Sequence, residues 1–255
     1  MGWSAKQYTA FEDERTRPVR DLVAAIPPTE AHRMADVGCG PGNSTEVLIA
    51  HFPGAEISGF DSSADMIAAA KKRLPQVKFD IADVLSWSDP GPFGVILANA
   101  VFQWVPDHTR LFLQLIEKLA PGGSLAVQMP DNLGETAHRL MRDVAANGPW
   151  AGKLARVAGV RTKIEGPAWY YGLLKPVCAR VEVWRTTYYH SLANAEAIVE
   201  WFKGSGLRPF LEPLNENERK DFLAEYLAAV RREFPPFQDG SVLLPFPRQF
   251  IIATR

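Results

Sequence analysis

Cysteine is nearly missing from this chain: Cys39 and Cys178 are the only two among 255 residues, far apart and outside any CxxC or Cys/His spacing. That argues against a zinc site or a disulfide scaffold and fits a reducing cytosol. Charge of one sign is equally scarce. Basic residues number 28 and acidic ones 29, a net charge of −1, so no field gathers nucleic acid or an anionic membrane. No apolar run approaches the roughly 18 residues that a bilayer span needs. The stretch "MGWSAKQY" lacks the basic-then-apolar pattern of a signal peptide. The expected location is the cytoplasm. Internal repeats and low-complexity tracts are also lacking.

What is present is an ordinary globular composition, 47% apolar and 22% charged, able to bury a real core. From Arg33 to Met129, short apolar runs alternate with helical patterns. "RMADVG", "AEISGFD", "VKFDIAD", "GVILANA" and "GGSLAVQMP" read as strands, the last after a Pro-Gly-Gly turn. Between them, "STEVLIAHF", "SADMIAAAKKRL" and "DHTRLFLQLIEKL" have helical spacing. Such alternation means βαβ units, a parallel sheet with helices on both faces.

The rhythm changes after Pro130. "GETAHRLMRDVAAN" is helical, and Gly148 to Pro167 is weakly patterned. "ARVEVWRTTYYHSL" alternates as a long strand, "ANAEAIVEWFKG" and "ENERKDFLAEYLAAVRREF" are amphipathic helices, and "PRQFIIATR" is a final strand. The expectation is one domain over 1–255. Its core spans 30–130 and 178–255, a helical cap about 131–177 follows the fifth strand, and a helical segment 1–28 leads.

Gly38, Gly40 and Gly42 lie between the first strand and the first helix of that alternation, and Asp61 follows Gly42 by 19 positions at the end of the second strand. A glycine turn there lets backbone approach a ligand closely, and the acid suits ribose hydroxyls. The dinucleotide fingerprint G-x-G-x-x-G is not met, because the third glycine arrives one residue early. Asp36, two residues before the first glycine, is an awkward neighbour for a pyrophosphate and a good one for a cation. S-adenosylmethionine carries a sulfonium and an ammonium and no phosphate, so the charge pattern favours it over NAD.

"ADVGCGPGNS", followed by Asp61 and by "ADV" at Ala82 to Val84, resembles the class I methyltransferases that use S-adenosylmethionine. That resemblance implies a Rossmann-like, doubly wound, seven-stranded α/β sheet with its last strand antiparallel. For the cofactor it implies Asp36, Gly38, Gly40 and Gly42 around the loop, Asp61 and Ser62 at the ribose, and Met66, Asp83 and Val84 at the adenine. Asn99 and Ala100 in "ANAVFQWVPDH" match the segment after strand four that lies under the methionine moiety. "YTAFEDERTRP", "VQMPDN", "VWRTTYYH", "GLRPF" and "FPRQFI" look like a branch of this family that esterifies a small tricarboxylate.

An ionised carboxylate acceptor needs no general base, which suits a chain without an evident Ser-His-Asp or Cys-His arrangement. His108 and His190, near these segments, are expected to orient or to support. No catalytic group and no metal is expected, and the work falls to positioning. A tricarboxylate needs cationic forks, and arginine supplies paired donors. Arg15 and Arg185 are the preferred pair, ahead of Arg17, Arg208 and Arg248, because they sit amid aromatic residues. Tyr8, Tyr171, Tyr188 and Tyr189 can add hydroxyl donors, with Gln103 and Trp104 walling the pocket. Three other readings stay open: the same fold with another small acid or amine as acceptor, a non-catalytic adenosine-binding protein, and an NAD-dependent oxidoreductase.

Overall fold

The computed structural model describes residues 12–30, 32–157 and 164–255. Seven strands form one sheet in the order β3-β2-β1-β4-β5-β7-β6, with β1 Arg33–Val37, β2 Glu56–Asp61, β3 Lys78–Ile81, β4 Phe93–Asn99, β5 Leu119–Pro130, β6 Arg180–Leu192 and β7 Val242–Thr254. β1 pairs in parallel with both β2 and β4, and β5 continues in parallel on β4. The last strand is antiparallel. Gly122 N–H donates to the Arg255 carbonyl at 2.8 Å, and Arg255 N–H returns the bond to Gly123 at 2.9 Å. Met34 to Val37 and Phe93 to Ala98 are buried throughout and, Asp36 apart, carry no charged or polar side chain, as a strand covered on both faces requires.

Helices α1 Glu12–Ala24, α2 Asn43–His51, α3 Ala64–Arg73 and α4 His108–Glu117 belong to the first half of the chain. α4 shows why the periodicity was readable. Leu111, Phe112, Leu115 and Ile116, spaced by one, three and four, are all buried in the cluster that also holds Val127 and Met129 of β5. Helix α5 Thr136–Asn147, a one-turn helix α6 Ala151–Leu154 and α7 Pro167–Leu174 lie between β5 and β6. Between β6 and β7 come α8 Ala195–Lys203, α9 Arg208–Leu211 and α10 Glu216–Glu233.

By internal packing the chain forms two compact units: up to Pro130 with Ile164–Thr186 and Gln249–Arg255, and Asp131–Lys163 with Thr187–Arg248. The second is centred on α10, whose Phe222, Tyr226, Ala229 and Val230 are buried. Trp150 meets the Phe222 ring edge-on at 5.3 Å and donates its indole N–H to Val144 at 2.9 Å.

Local departures from the sequence pattern have physical causes. The expected third strand stops at Ile81, because the Asp83 carboxylate accepts from Leu85 N–H at 2.8 Å and opens a 3₁₀ turn over Val84–Ser86. β5 begins at Leu119, ahead of Pro121-Gly122-Gly123, which bulges out where the register jumps from Phe93↔Leu119 to Val95↔Ser124. β7 runs through Pro245 and Pro247, residues that ordinarily argue against an interior strand. α7 lies within the stretch read as a helical cap, but "PAWYYGLL" has no charged face to single it out as amphipathic.

Candidate functional site

Strand order reverses between β1 and β4, the place where an open α/β sheet leaves a crevice beyond its strand ends. The turn leaving β1 is anchored from below: Gly38 and Cys39 N–H groups donate to the Phe60 carbonyl of β2, at 2.8 and 3.0 Å. Its glycines have positive φ, at 68°, 55° and 90°, for different ends. A Cβ on Gly38 would stand 2.5 Å from a methyl of Val101, so the turn lies hard against the segment leaving β4. Gly42 caps α2 with a left-handed backbone. A Cβ on Gly40 would meet nothing within 4 Å. Gly40 faces open space, in a cleft lined by Thr16 and Val19 of α1, the turn from Gly38 to Pro41, Asn43, Ser44 and Asn99. Among the described residues no lysine or arginine lines it.

Two acids flank this turn, each differently held. Asp61 accepts from Gly40 N–H at 3.0 Å and from Ser63 N–H at 2.8 Å, one bond per oxygen. Burial raises its pKa, against the pull of those two N–H groups. Asp36 is fully buried, and its Oδ2 accepts from the hydroxyls of Ser44 at 2.7 Å and Thr45 at 2.6 Å. Its Oδ1 has no hydrogen-bond partner among the described residues. Burial pushes the Asp36 pKa up to about 6, while the two hydroxyls lower it and the nearby Asp61 adds to the rise. Asp83 is exposed, with Val84 half-buried beside it and Met66 buried on α3. Ser62 is exposed, and Ser63, not Ser62, caps α3 by accepting from Met66 N–H at 3.4 Å.

The segment leaving β4 is strained. Ala100 has φ 56°, and Asp107 is the other non-glycine of positive φ among the described residues. For alanine that costs about 1–2 kcal/mol. Its N–H donates to the Gln128 carbonyl of β5 at 2.8 Å, and its carbonyl accepts from Gln103 Nε2 at 2.7 Å. Asn99 Oδ1 and Gln103 Oε1 are buried without partners among the described residues. A 3₁₀ turn over Phe102–Trp104 follows, leaving Trp104 half-buried. Phe102 offers a carbonyl to His108 Nε2 at 2.9 Å, so that nitrogen carries the proton. Nδ1 then accepts from the Tyr170 hydroxyl at 2.6 Å. Both ring nitrogens of His108 are therefore engaged.

The residues expected to grip an acceptor are more scattered. Tyr8 lies outside the described residues, as does the side chain of Arg15, whose backbone is in α1. Arg185 and Tyr189 share the exposed face of β6, and Tyr171 is exposed on α7, where its neighbour Tyr170 is the buried one. In the second unit Arg248 is 4% exposed with its guanidinium over the Phe246 ring at 4.7 Å, and His190 stacks on Trp201 at 4.7 Å. The sequence reading overlooked Ser44 and Thr45, the partners of Asp36, and Thr16 and Val19. The hydroxyl pair was visible in "GNST" at the start of a helix. Nothing in the α1 pattern marked Thr16 or Val19. No group of three or more His, Cys, Asp or Glu side chains is placed to hold a metal among the described residues.

Residues 11–210 match the model of a methyltransferase-domain family. Solved structures of like fold include the YcgJ protein of Bacillus subtilis, at TM-score 0.61 and 13% identity over 94% of this chain and 98% of that one. Phosphoethanolamine N-methyltransferase 2 of Haemonchus contortus, solved with S-adenosylhomocysteine, gives TM-score 0.55 and 16% identity over 94% of this chain and 52% of that one. The chain belongs to the methyltransferase-domain family. Curated relatives narrow this. Trans-aconitate 2-methyltransferase of Rhodopseudomonas palustris (strain BisB5) is 53% identical over 253 residues, 99% of each chain. The protein of that name in Rhizobium meliloti (strain 1021) is 51% identical over 255 residues, all of this chain and 99% of that one.

Proposed function

We propose that this chain moves a methyl group from S-adenosylmethionine to a carboxylate of trans-aconitate, giving the monomethyl ester and S-adenosylhomocysteine, and that it works as a single methyltransferase domain. One observation carries the reading: over 99% of its length the chain is half identical to relatives named for that reaction. The chemistry of the cleft supports the cofactor. Among the described residues its lining offers no lysine or arginine for a pyrophosphate. Three atoms buried at the two turns without partners among the described residues, Asp36 Oδ1, Asn99 Oδ1 and Gln103 Oε1, are acceptors. Buried acceptors without partners suit a ligand that brings donors and positive charge.

In this reading the backbone at Gly38, Gly40 and Gly42 lets the cofactor approach, and Asp61 holds the ribose hydroxyls beside Ser62. Met66, Asp83 and Val84 flank the adenine, and Asp36, Asn99 and Ala100 face the methionine end. The cofactor supplies a methyl group made electrophilic by its sulfonium. The acceptor, with carboxyls near pKa 4, arrives already ionised, so the protein's task is alignment and exclusion of water. Arg15 and Arg185 are the proposed carboxylate forks, with Tyr8, Trp104, Tyr171 and Tyr189 completing the acceptor site. Calorimetry tests the first half: S-adenosylhomocysteine should bind and NAD should not. NAD binding instead would return the oxidoreductase reading.

A further inference from the structure

The turn from Asn99 to Trp104 has a feature that ligand contact alone does not explain. Ala100 is held in a left-handed conformation with no side chain able to stabilise it locally. Asp107, the other such residue, has that help, because its carboxylate accepts from Arg110 N–H at 3.1 Å and caps α4. Something else must hold Ala100. Its N–H is tied to β5 through Gln128, and its carbonyl to the side chain of Gln103, which is 4% exposed. The consequence reaches both turns. Asn99 lines the cleft, and Val101 is the residue against which Gly38 is pressed. If Ala100 relaxed to an ordinary φ, the peptides on both sides would rotate, taking Asn99 out of register and removing the wall behind Gly38.

We infer that Gln103 is a positioning residue, whose amide locks the strained turn at Ala100 and so sets the cofactor cleft, and not a group that touches the acceptor. This rests on the methyltransferase reading for its functional readout and on geometry for its structural one. His108 supports the same turn one residue earlier, through the Phe102 carbonyl. The brace therefore has two points, and Gln103 is the one that acts on the strained residue itself.

Gln103→Met tests this, since it keeps the buried volume and removes the donor to Ala100. With the lock lost, affinity for S-adenosylhomocysteine by calorimetry should fall about tenfold, and KM for trans-aconitate at saturating cofactor should stay within twofold. Ala100→Gly makes the left-handed conformation available without a lock. In that background Gln103→Met should cost threefold or less. An equal loss in both backgrounds overturns the lock, and so does a raised acceptor KM with unchanged cofactor affinity. Amide hydrogen exchange on the ligand-free protein gives a second readout. Ala100 and Trp104 amides should exchange at least tenfold faster in Gln103→Met, while those of β5 stay within twofold. Unchanged exchange at Ala100 overturns the inference. Wild-type protein that binds no S-adenosylhomocysteine would count against the methyltransferase reading, and exchange would still decide the lock. Should Gln103→Met fold poorly, Gln103→Leu also removes the donor to the carbonyl and must show the same exchange defect.

Discussion

Asp61 spends one oxygen on Gly40 N–H and the other on Ser63 N–H, and so ties the glycine turn to the end of β2 before any ligand arrives. Each oxygen keeps a second lone pair for a ribose hydroxyl. Asp61→Ala removes both, and should weaken S-adenosylhomocysteine binding by about 2–4 kcal/mol in calorimetry. Unchanged affinity would remove Asp61 from the site. Asp36 gives a prediction of the opposite kind. Its pKa is raised to about 6 in the folded state from 3.8, so the folded protein holds this proton more tightly than the unfolded chain does. The stability linked to it is complete below about pH 4 and lost as pH rises through 6, a change of about 3 kcal/mol. Asp36→Asn cannot titrate. Urea unfolding at pH 4.5 and pH 7.5 should show wild type losing stability relative to Asp36→Asn between them, and a constant difference would contradict the assignment. Of this residue-scale picture, the sequence showed that acids flank a glycine turn. It could not show that Asp36 is wholly enclosed and bonded to Ser44 and Thr45, because burial depends on β4 and α2 closing over it.

At the scale of elements, legibility followed the periodic signals. α4 and α10 were plain from apolar spacing, and α10 also carries a capping box: Asn215 accepts from Glu218 N–H at 3.0 Å, and the Glu218 carboxylate accepts from Asn215 N–H at 2.9 Å. Asn215→Ala should cost about 1 kcal/mol of stability, read as a shift in the urea midpoint with an unchanged slope. No shift would mean that water replaces the cap at no loss. Elements were misjudged where a local interaction overrode the pattern. Asp83 stopped β3 early, Pro121-Gly122-Gly123 bulged within β5 in place of preceding it, and β7 tolerated two prolines. α7 was not singled out within the cap because its helical signal is buried contact, Tyr170 on His108 and Phe112, and not a polar face.

For the whole molecule, the alternation of elements foretold the parallel βαβ half of the sheet, and the resemblance carried by the glycine turn and the second-strand acid implied the seven strands with an antiparallel last one that the fold has. The acceptor side was less legible, since carboxylate recognition has no fixed spacing and depends on which arginines tertiary packing gathers. Arg185 proves exposed and Arg248 buried, a distinction their sequence neighbourhoods do not encode. Methyl transfer to a carboxylate is tested by single-turnover mass spectrometry with methyl-labelled S-adenosylmethionine and a panel of tricarboxylates, followed from pH 6 to 9. A singly labelled monomethyl ester of trans-aconitate is expected, with a rate flat across that range because the acceptor is already ionised. No labelled ester, or a rate rising with an apparent pKa near that of histidine, would contradict it.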